Sequence, residues 1–171
     1  MSSKEQSKMT ISEIKKMPLS FLLRIIDKAK KEIKKDKTMV RICEEYDVSI
    51  DEIDYIPTYF KDLDVSATTD HGVVYLSYNL LLDGFSKKNW SYLIHEYSHF
   101  FQQTAADKAT KGSAEGEYLH NPHEQEGFAN QVEFLANHFG DDEAEDYVDD
   151  LLDHHDEDDN KDLKNKLMEN I

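Results

Sequence analysis

The 171-residue sequence contains little cysteine, proline, glycine or tryptophan, with one, three, six and one of each. The single cysteine, Cys43, excludes an internal disulfide, which favours a reducing compartment and a small buried side chain in a helix. No stretch reaches the roughly 18 apolar residues of a membrane-spanning helix, and the first ten residues lack the apolar core of a signal peptide. We therefore expect a cytoplasmic protein that is not secreted and contacts no membrane.

Positive charge is also scarce, with 20 Lys and Arg against 36 Asp and Glu, and the formal net charge is −16. So acidic a surface repels phosphate and excludes nucleic acid as an expected partner. The charge is uneven, because basic residues outnumber acidic ones in residues 1–40, whereas residues 141–159 contain twelve acidic residues and no Lys or Arg. We expect these two regions to attract each other.

The length predicts one domain over residues 1–171. Residues 1–10 are polar and are expected to be disordered, whereas residues 141–171 carry apolar positions at helical spacing and predict an acidic C-terminal helix. Residues 18–46 keep the helical period with a lapse near Asp36, so that one long helix or two shorter helices fit the pattern.

The middle of the chain predicts a small β structure followed by helices. β-Branched residues and tyrosines in residues 64–81 surround an Asp-His-Gly turn and predict a β-hairpin, whose second strand is Val73–Ser77. A helix is expected from about Lys87 to Ala106, then a loop, then a third helix with Asn121 as its N-cap. The fold class is therefore α+β, mainly helical, with a small hairpin or sheet before the helix at residues 87–106.

The clearest chemical signal is His-Glu-x-x-His, within the stretch YLIHEYSHFFQQ of that helix. His95 and His99 lie one helical turn apart on the same face, so that both imidazoles can bind one metal ion. Glu96 lies about 100° around the helix and can reach a water on that ion. Because a hydrolytic zinc site takes three protein ligands, a third ligand must come from elsewhere in the chain.

The combination of HEYSH with the later string EGFANQVEF resembles the gluzincin metallopeptidases, whose third zinc ligand is a glutamate on a second helix. The resemblance covers two helices and implies a zincin-like domain with one Zn²⁺ per chain, bound by His95, His99 and Glu126. Glu124 stays open as an alternative third ligand, since helical phase does not separate the two carboxylates; we expect it to cap its own helix instead. Three further segments, KDLDVSATT, VVYLSYNLL and YVDDLLDHH, are similar to uncharacterised phage-encoded and bacterial HExxH proteins.

The resemblance implies zinc-dependent hydrolysis of a peptide or protein substrate. In that scheme zinc lowers the pKa of its water, and Glu96 takes the proton and delivers it to the leaving amine. Gluzincins place a Tyr or His donor near the ligand helix to stabilise the oxyanion, which makes Tyr118 a second catalytic candidate. The strand Val73–Ser77 resembles the edge strand on which zincins align a peptide. The spacing from His99 to Glu126 exceeds that of thermolysin-type enzymes and the exopeptidase motif of the aminopeptidases is absent, so no cleavage specificity is implied.

The remaining histidines give weaker signals. We expect His71, His154 and His155 at the surface, whereas His120 and His123 lie near the start of the third helix and can line a cleft. A second functional interpretation treats the zinc as non-catalytic. The domain would then be an interaction module that binds a basic protein partner through its acidic C-terminal helix.

Overall fold

The computed structural model describes residues 9–104 and 118–171, and within them it shows a mainly helical α+β fold with one three-stranded sheet. The helices are α1 (Ile11–Lys15), α2 (Leu19–Ile33), α3 (Lys37–Glu45), α4 (Trp90–Thr104), α5 (Pro122–Phe139), α6 (Asp141–His154) and α7 (Lys161–Leu167). The strands are β1 (Thr58–Lys61), β2 (Ala67–Asp70) and β3 (Val73–Ser77). The predicted class is confirmed. Of residues 1–10, which are expected to be disordered, residues 1–8 lie outside the described residues, whereas Thr10 caps α1 with its side chain. The loop expected before Tyr118 also lies outside them.

The long N-terminal helical pattern divides into two helices, α2 and α3. Asp36 separates them, because its side chain accepts a hydrogen bond from the backbone N–H of Thr38 at 2.9 Å and so caps α3. Cys43 is buried in α3 as expected, and burial raises the pKa of its thiol to about 11. The lapse in the sequence pattern therefore marks a helix boundary.

The predicted hairpin is confirmed, since β2 and β3 pair antiparallel. Its turn residues His71 and Gly72 both have positive φ, 51° and 78°, as a two-residue hairpin turn requires. The sequence analysis missed β1, a four-residue strand that pairs parallel with β3 and gives the sheet order β1-β3-β2. Because β3 is central, the prediction that Val73–Ser77 is an edge strand is wrong.

The edge of the sheet beside α4 is β2. The N–H of Ser77 donates to the carbonyl of Ser66 at 2.8 Å, and the register of the hairpin continues from this pair. In an antiparallel ladder hydrogen-bonded residues alternate, so Thr68 bonds to β3 whereas the backbone groups of Ala67 and Thr69 face outward. Among the described residues no further strand pairs with this side of β2.

Two hydrophobic clusters form the core, and α5 contributes to both. The first lies among the sheet and helices α1 to α4, and it includes Phe134 of α5. The second lies among α5, α6 and α7, and it includes Phe128 and Val132. Helix α5 therefore joins the two halves of the core. None of the described helices is both long and apolar enough to cross a bilayer.

The acidic helix α6 packs on the rest of the protein, as its apolar stripe predicts, with Val148 and Leu152 buried in the second cluster. In the part of the basic N-terminal region that the structure describes, no ion pair with α6 is found, contrary to expectation. Within the described residues, the ion pairs of α6 are with Lys88, at 3.0 Å from Glu143, and with Lys164, at 2.7 Å from Glu145. Apolar packing with α5 sets the position of α6. The basic residues that pair with α6 are those near it in space, not those of the N-terminal helices.

Candidate metal centre

Helices α4 and α5 bring three metal-binding side chains together, His95, His99 and Glu124, all of them buried. The two Nε2 atoms are 3.0 Å apart. Glu124 Oε1 lies 3.1 Å from Nε2 of His95, and its Oε2 lies 3.0 Å from Nε2 of His99. Two imidazole nitrogens and a carboxylate therefore converge on one point between the helices.

The carboxylate at this point belongs to Glu124 and not to Glu126, which corrects the expected grouping. Two residues correspond to about 200° around a helix, so the two carboxylates diverge: Glu124 faces the histidines, whereas Glu126 contacts Gln102 further along α4. The capping role expected of Glu124 falls to Asn121 alone, whose side chain accepts hydrogen bonds from the N–H groups of residues 123 and 124. Glu126 points instead toward Tyr46 at the end of α3, whose hydroxyl donates to its carboxylate at 2.7 Å.

Each histidine is held through its other ring nitrogen by a glutamine. Nδ1 of His95 donates to Oε1 of Gln131 at 3.1 Å, and Nδ1 of His99 donates to Oε1 of Gln102 at 2.7 Å. A proton on Nδ1 leaves the lone pair of the neutral ring on Nε2, which is the atom that faces the centre. Both rings are therefore oriented so that Nε2, the atom that binds a metal once it is deprotonated, faces the centre.

Gly127 gives His95 the space for its ring. A Cβ atom at position 127 would lie 3.1 Å from both Cε1 and Nε2 of His95, closer than ordinary van der Waals contact. Glycine inside a helix costs about 1 kcal/mol relative to alanine, so its place in α5 needs such a reason. Phe128 completes the contact, with its ring centroid 4.4 Å from that of His95.

The residues fit a divalent metal ion. Tetrahedral zinc with bonds of roughly 2.0–2.1 Å places neighbouring ligand atoms about 3.3 Å apart. Here the two Nε2 atoms are 3.0 Å apart, and each lies 3.0 or 3.1 Å from a different oxygen of Glu124. Outward shifts of a few tenths of an ångström would accommodate the ion. Three protein ligands also leave a coordination position for water or substrate.

His99 and Glu124 together hold a proton at the position that a metal ion would take. Burial lowers the pKa of His99, but the hydrogen bond and charge of Glu124 outweigh it, and the pKa is raised to about 9. Burial would raise the pKa of Glu124, yet its hydrogen bonds to His95 and His99 hold that pKa far below its usual range. A metal ion must therefore displace a proton from this cluster.

Glu96 lies next to the cluster on α4 and is buried. The hydroxyl of Thr69 on strand β2 donates to Glu96 Oε1 at 2.8 Å, which holds the carboxylate toward the edge of the sheet. Its negative charge contributes to the raised pKa of His99. The structure therefore places Glu96 beside the two histidines without making it one of the three converging ligands.

Two tyrosines also reach the centre. Burial raises the pKa of Tyr118, and the charge of Glu124, a hydrogen bond to it and the charge of Glu96 raise it further. Burial likewise raises the pKa of Tyr147, and the nearby negative charge of Glu96 raises it further. Both hydroxyls therefore keep their protons at neutral pH.

The sequence predicts Tyr118 near the site, but it gives no sign that Tyr147 lies close to Glu96. Sequence reasoning also missed Gln102, Gln131 and Gly127. The spacing of Glu124, Gly127 and Gln131 on one face of α5 could have revealed the ligand face.

The other candidate histidines are not in the cluster. His71, His154 and His155 are exposed, as expected. His120 is paired with Glu157, whose Oε1 lies 2.9 Å from its Nε2. The carbonyl oxygen of His123 accepts a hydrogen bond from Gln102, so its backbone contacts the support of the centre.

Comparison of the chain with family models, with curated proteins and with solved structures gives no match. The gluzincin resemblance therefore stays a prediction from two motifs. The assignment of a function depends on the chemistry of the centre itself.

Proposed function

We propose that the protein is a zinc-dependent hydrolase of peptide bonds, with a gluzincin-like site of His95, His99 and Glu124. The observation that carries the proposal is the convergence of both Nε2 atoms and one carboxylate, with each Nδ1 held by a glutamine. A bound Zn²⁺ would act as a Lewis acid and lower the pKa of a water. Two histidines and a glutamate with a free coordination position are the ligand set of several hydrolytic zinc sites.

In this proposal Glu96 is the general base. It lies one residue from a ligand, on the side of α4 that faces β2, and the Thr69 hydroxyl restricts the rotation of its carboxylate. It would accept a proton from the attacking water and deliver the proton to the leaving amine. Tyr118 would donate a hydrogen bond to the oxyanion, since its raised pKa keeps the hydroxyl protonated.

Strand β2 would align the substrate. Its outward-facing backbone groups, at Ala67 and Thr69, can pair with an extended peptide in the manner of an added strand. Thr69 also contacts Glu96, so a peptide on this edge would lie close to the proposed base. The edge-strand role expected for Val73–Ser77 is thus assigned to its neighbour in the hairpin.

The test combines metal analysis with one substitution. Elemental analysis of the purified protein should give about one zinc per chain, and a hydroxamate should inhibit cleavage of an unstructured peptide library. Glu96→Gln should keep its zinc and its melting temperature but lose about 10²–10⁴-fold in rate. Glu44→Gln changes an exposed carboxylate on α3 and should behave as the parent. A Glu96→Gln protein that binds zinc and cleaves at the parental rate would exclude the proposed mechanism.

The second interpretation, a zinc-stabilised interaction module, predicts a different result. Its basis is the exposed acidic surface of α6, to which Asp141, Asp142 and Asp150 contribute. A zinc-loaded protein that cleaves no peptide, but binds a lysine-rich peptide equally well after His99→Ala, would support the module over the enzyme.

A further inference from the structure

Glu126 has a defined set of partners although it is not in the metal cluster. The hydroxyl of Tyr46 donates to its carboxylate and lies 2.7 and 2.9 Å from the two oxygens. The amide nitrogen of Gln102 donates to Oε1 at 2.6 Å. The carboxylate therefore links the end of α3 to a residue on the metal-binding face of α4.

These contacts determine which way the Gln102 amide points. Its nitrogen has two hydrogens, directed at Glu126 and at the carbonyl oxygen of His123, 3.1 Å away. Both of these groups can only accept hydrogen bonds. The amide oxygen must therefore face Nδ1 of His99, where the distance is 2.7 Å, and Nδ1 must carry the proton.

We propose that Glu126 and Tyr46 position the metal ligand His99 by acting through Gln102. The three residues hold the His99 ring with a proton on Nδ1, so that Nε2 faces the metal. This inference rests on the proposed metal site, but it does not depend on peptidase activity. Outer residues of this kind typically change metal affinity by about 10- to 100-fold when they are removed.

The second histidine provides an internal control. The Gln131 amide that accepts from His95 donates in turn to the hydroxyl of Ser91, at 3.2 Å. This partner is an uncharged hydroxyl, which can donate or accept, whereas the partner of the Gln102 amide is the carboxylate of Glu126. The orientation of the Gln131 amide therefore does not depend on Glu126. Loss of Glu126 should therefore affect His99 and leave His95 unchanged.

The experiment measures zinc affinity by competition with a chromogenic chelator and the water exchange of both Nδ1–H protons by ¹⁵N-edited NMR. Glu126→Ala and Gln102→Ala should each weaken zinc binding about 10- to 100-fold, and Glu126→Ala should accelerate exchange of the His99 proton alone. Glu126→Gln keeps an oxygen acceptor for Gln102 and should recover most of the affinity. Gln103→Ala changes the adjacent glutamine, for which no hydrogen bond is recorded among the described residues, and should match the parent.

Three results would overturn the positioning role. One is a zinc-bound Glu126→Ala protein with parental affinity and parental exchange at His99. Another is complete loss of zinc in Glu126→Ala with full retention in Glu124→Ala, which would make Glu126 a ligand. The third is a parent that binds no zinc, which would remove the metal site as well. A parent that binds zinc but cleaves nothing would reject only the hydrolase, because neither measurement uses activity.

Discussion

Gly127 shows how one residue sets the distance between the two metal-binding helices. Replacement by alanine should favour the helix by about 1 kcal/mol, but the added methyl group would press on the His95 ring at 3.1 Å. We expect Gly127→Ala to fold but to bind zinc about tenfold more weakly, or weaker still. Loss of a residue that orients a metal ligand typically lowers metal affinity by at least that factor, and displacement of the ligand His95 itself should do the same. Chelator competition measures the affinity, and circular dichroism checks the helix content. Parental affinity in this variant would mean that the His95 ring does not need its present position.

His99 makes zinc binding dependent on pH. Its raised pKa of about 9 results mainly from Glu124, which outweighs the effect of burial, with a smaller contribution from Glu96. Below that pH the ring holds a proton that zinc must displace, so affinity should rise about tenfold per pH unit between pH 6 and 8.5. Above the pKa the proton has already left, and the dependence should level off. Calorimetry in buffers of different ionisation enthalpy should detect about one proton released per zinc, whereas affinity that does not vary with pH would contradict the raised pKa.

At the scale of elements, strand β2 connects the sheet to the chemistry of α4. The N–H of Ala67 faces outward, so Ala67→Pro removes a donor for a substrate without removing a ladder bond. We expect this variant to keep its zinc and melting temperature while KM for a cleaved peptide rises about fivefold, the equivalent of one hydrogen bond of about 1 kcal/mol.

The neighbouring residue is the matched control, because the N–H of Thr68 belongs to the ladder with β3. Thr68→Pro should lower the melting temperature, since proline cannot supply that hydrogen bond. If Ala67→Pro leaves KM unchanged, the substrate does not pair with this edge.

Helix α6 contributes to the hydrophobic core and also lies near the metal centre. Its buried residues Val148 and Leu152 pack with α5 in the second cluster, and Tyr147 packs against the same cluster. The acidic helix is therefore part of the packed core, as its apolar stripe predicts, and burial together with the charge of Glu96 raises the pKa of its Tyr147.

For the whole molecule, the metal centre lies between α4, which packs in the first hydrophobic cluster, and α5, which contributes to both clusters. His95 and His99 are on α4, which packs in the first cluster, whereas α5 carries Glu124 and much of the second. Zinc bound to both helices should therefore stabilise the entire fold, by about 2.7 kcal/mol at a free zinc concentration 100 times Kd.

Thermal unfolding with and without a chelator measures this effect. The melting temperature should fall when zinc is removed, and His99→Ala, which lacks a ligand, should show no such shift. An equal shift in His99→Ala would indicate that zinc acts at another site on this acidic protein.

Local features of the sequence were sufficient for much of this architecture. The Asp-His-Gly turn, the N-cap at Asn121 and the one-turn spacing of His95 and His99 depend on residues within a few positions of each other. Neighbouring residues determine backbone geometry and the side-chain face of a helix directly, so these predictions agree with the structure.

Tertiary packing decided the rest. Which carboxylate meets the histidines depends on the rotation of α5 about its axis, and that rotation follows from burying Phe128 and Phe134 in two different clusters. The central position of β3 depends on β1, a strand too short to recognise before its partner is known. The sequence by itself determined the chemistry available on each helix, whereas the packing of distant side chains determined which groups meet, because a core selects one arrangement of helices by the apolar surface that it buries.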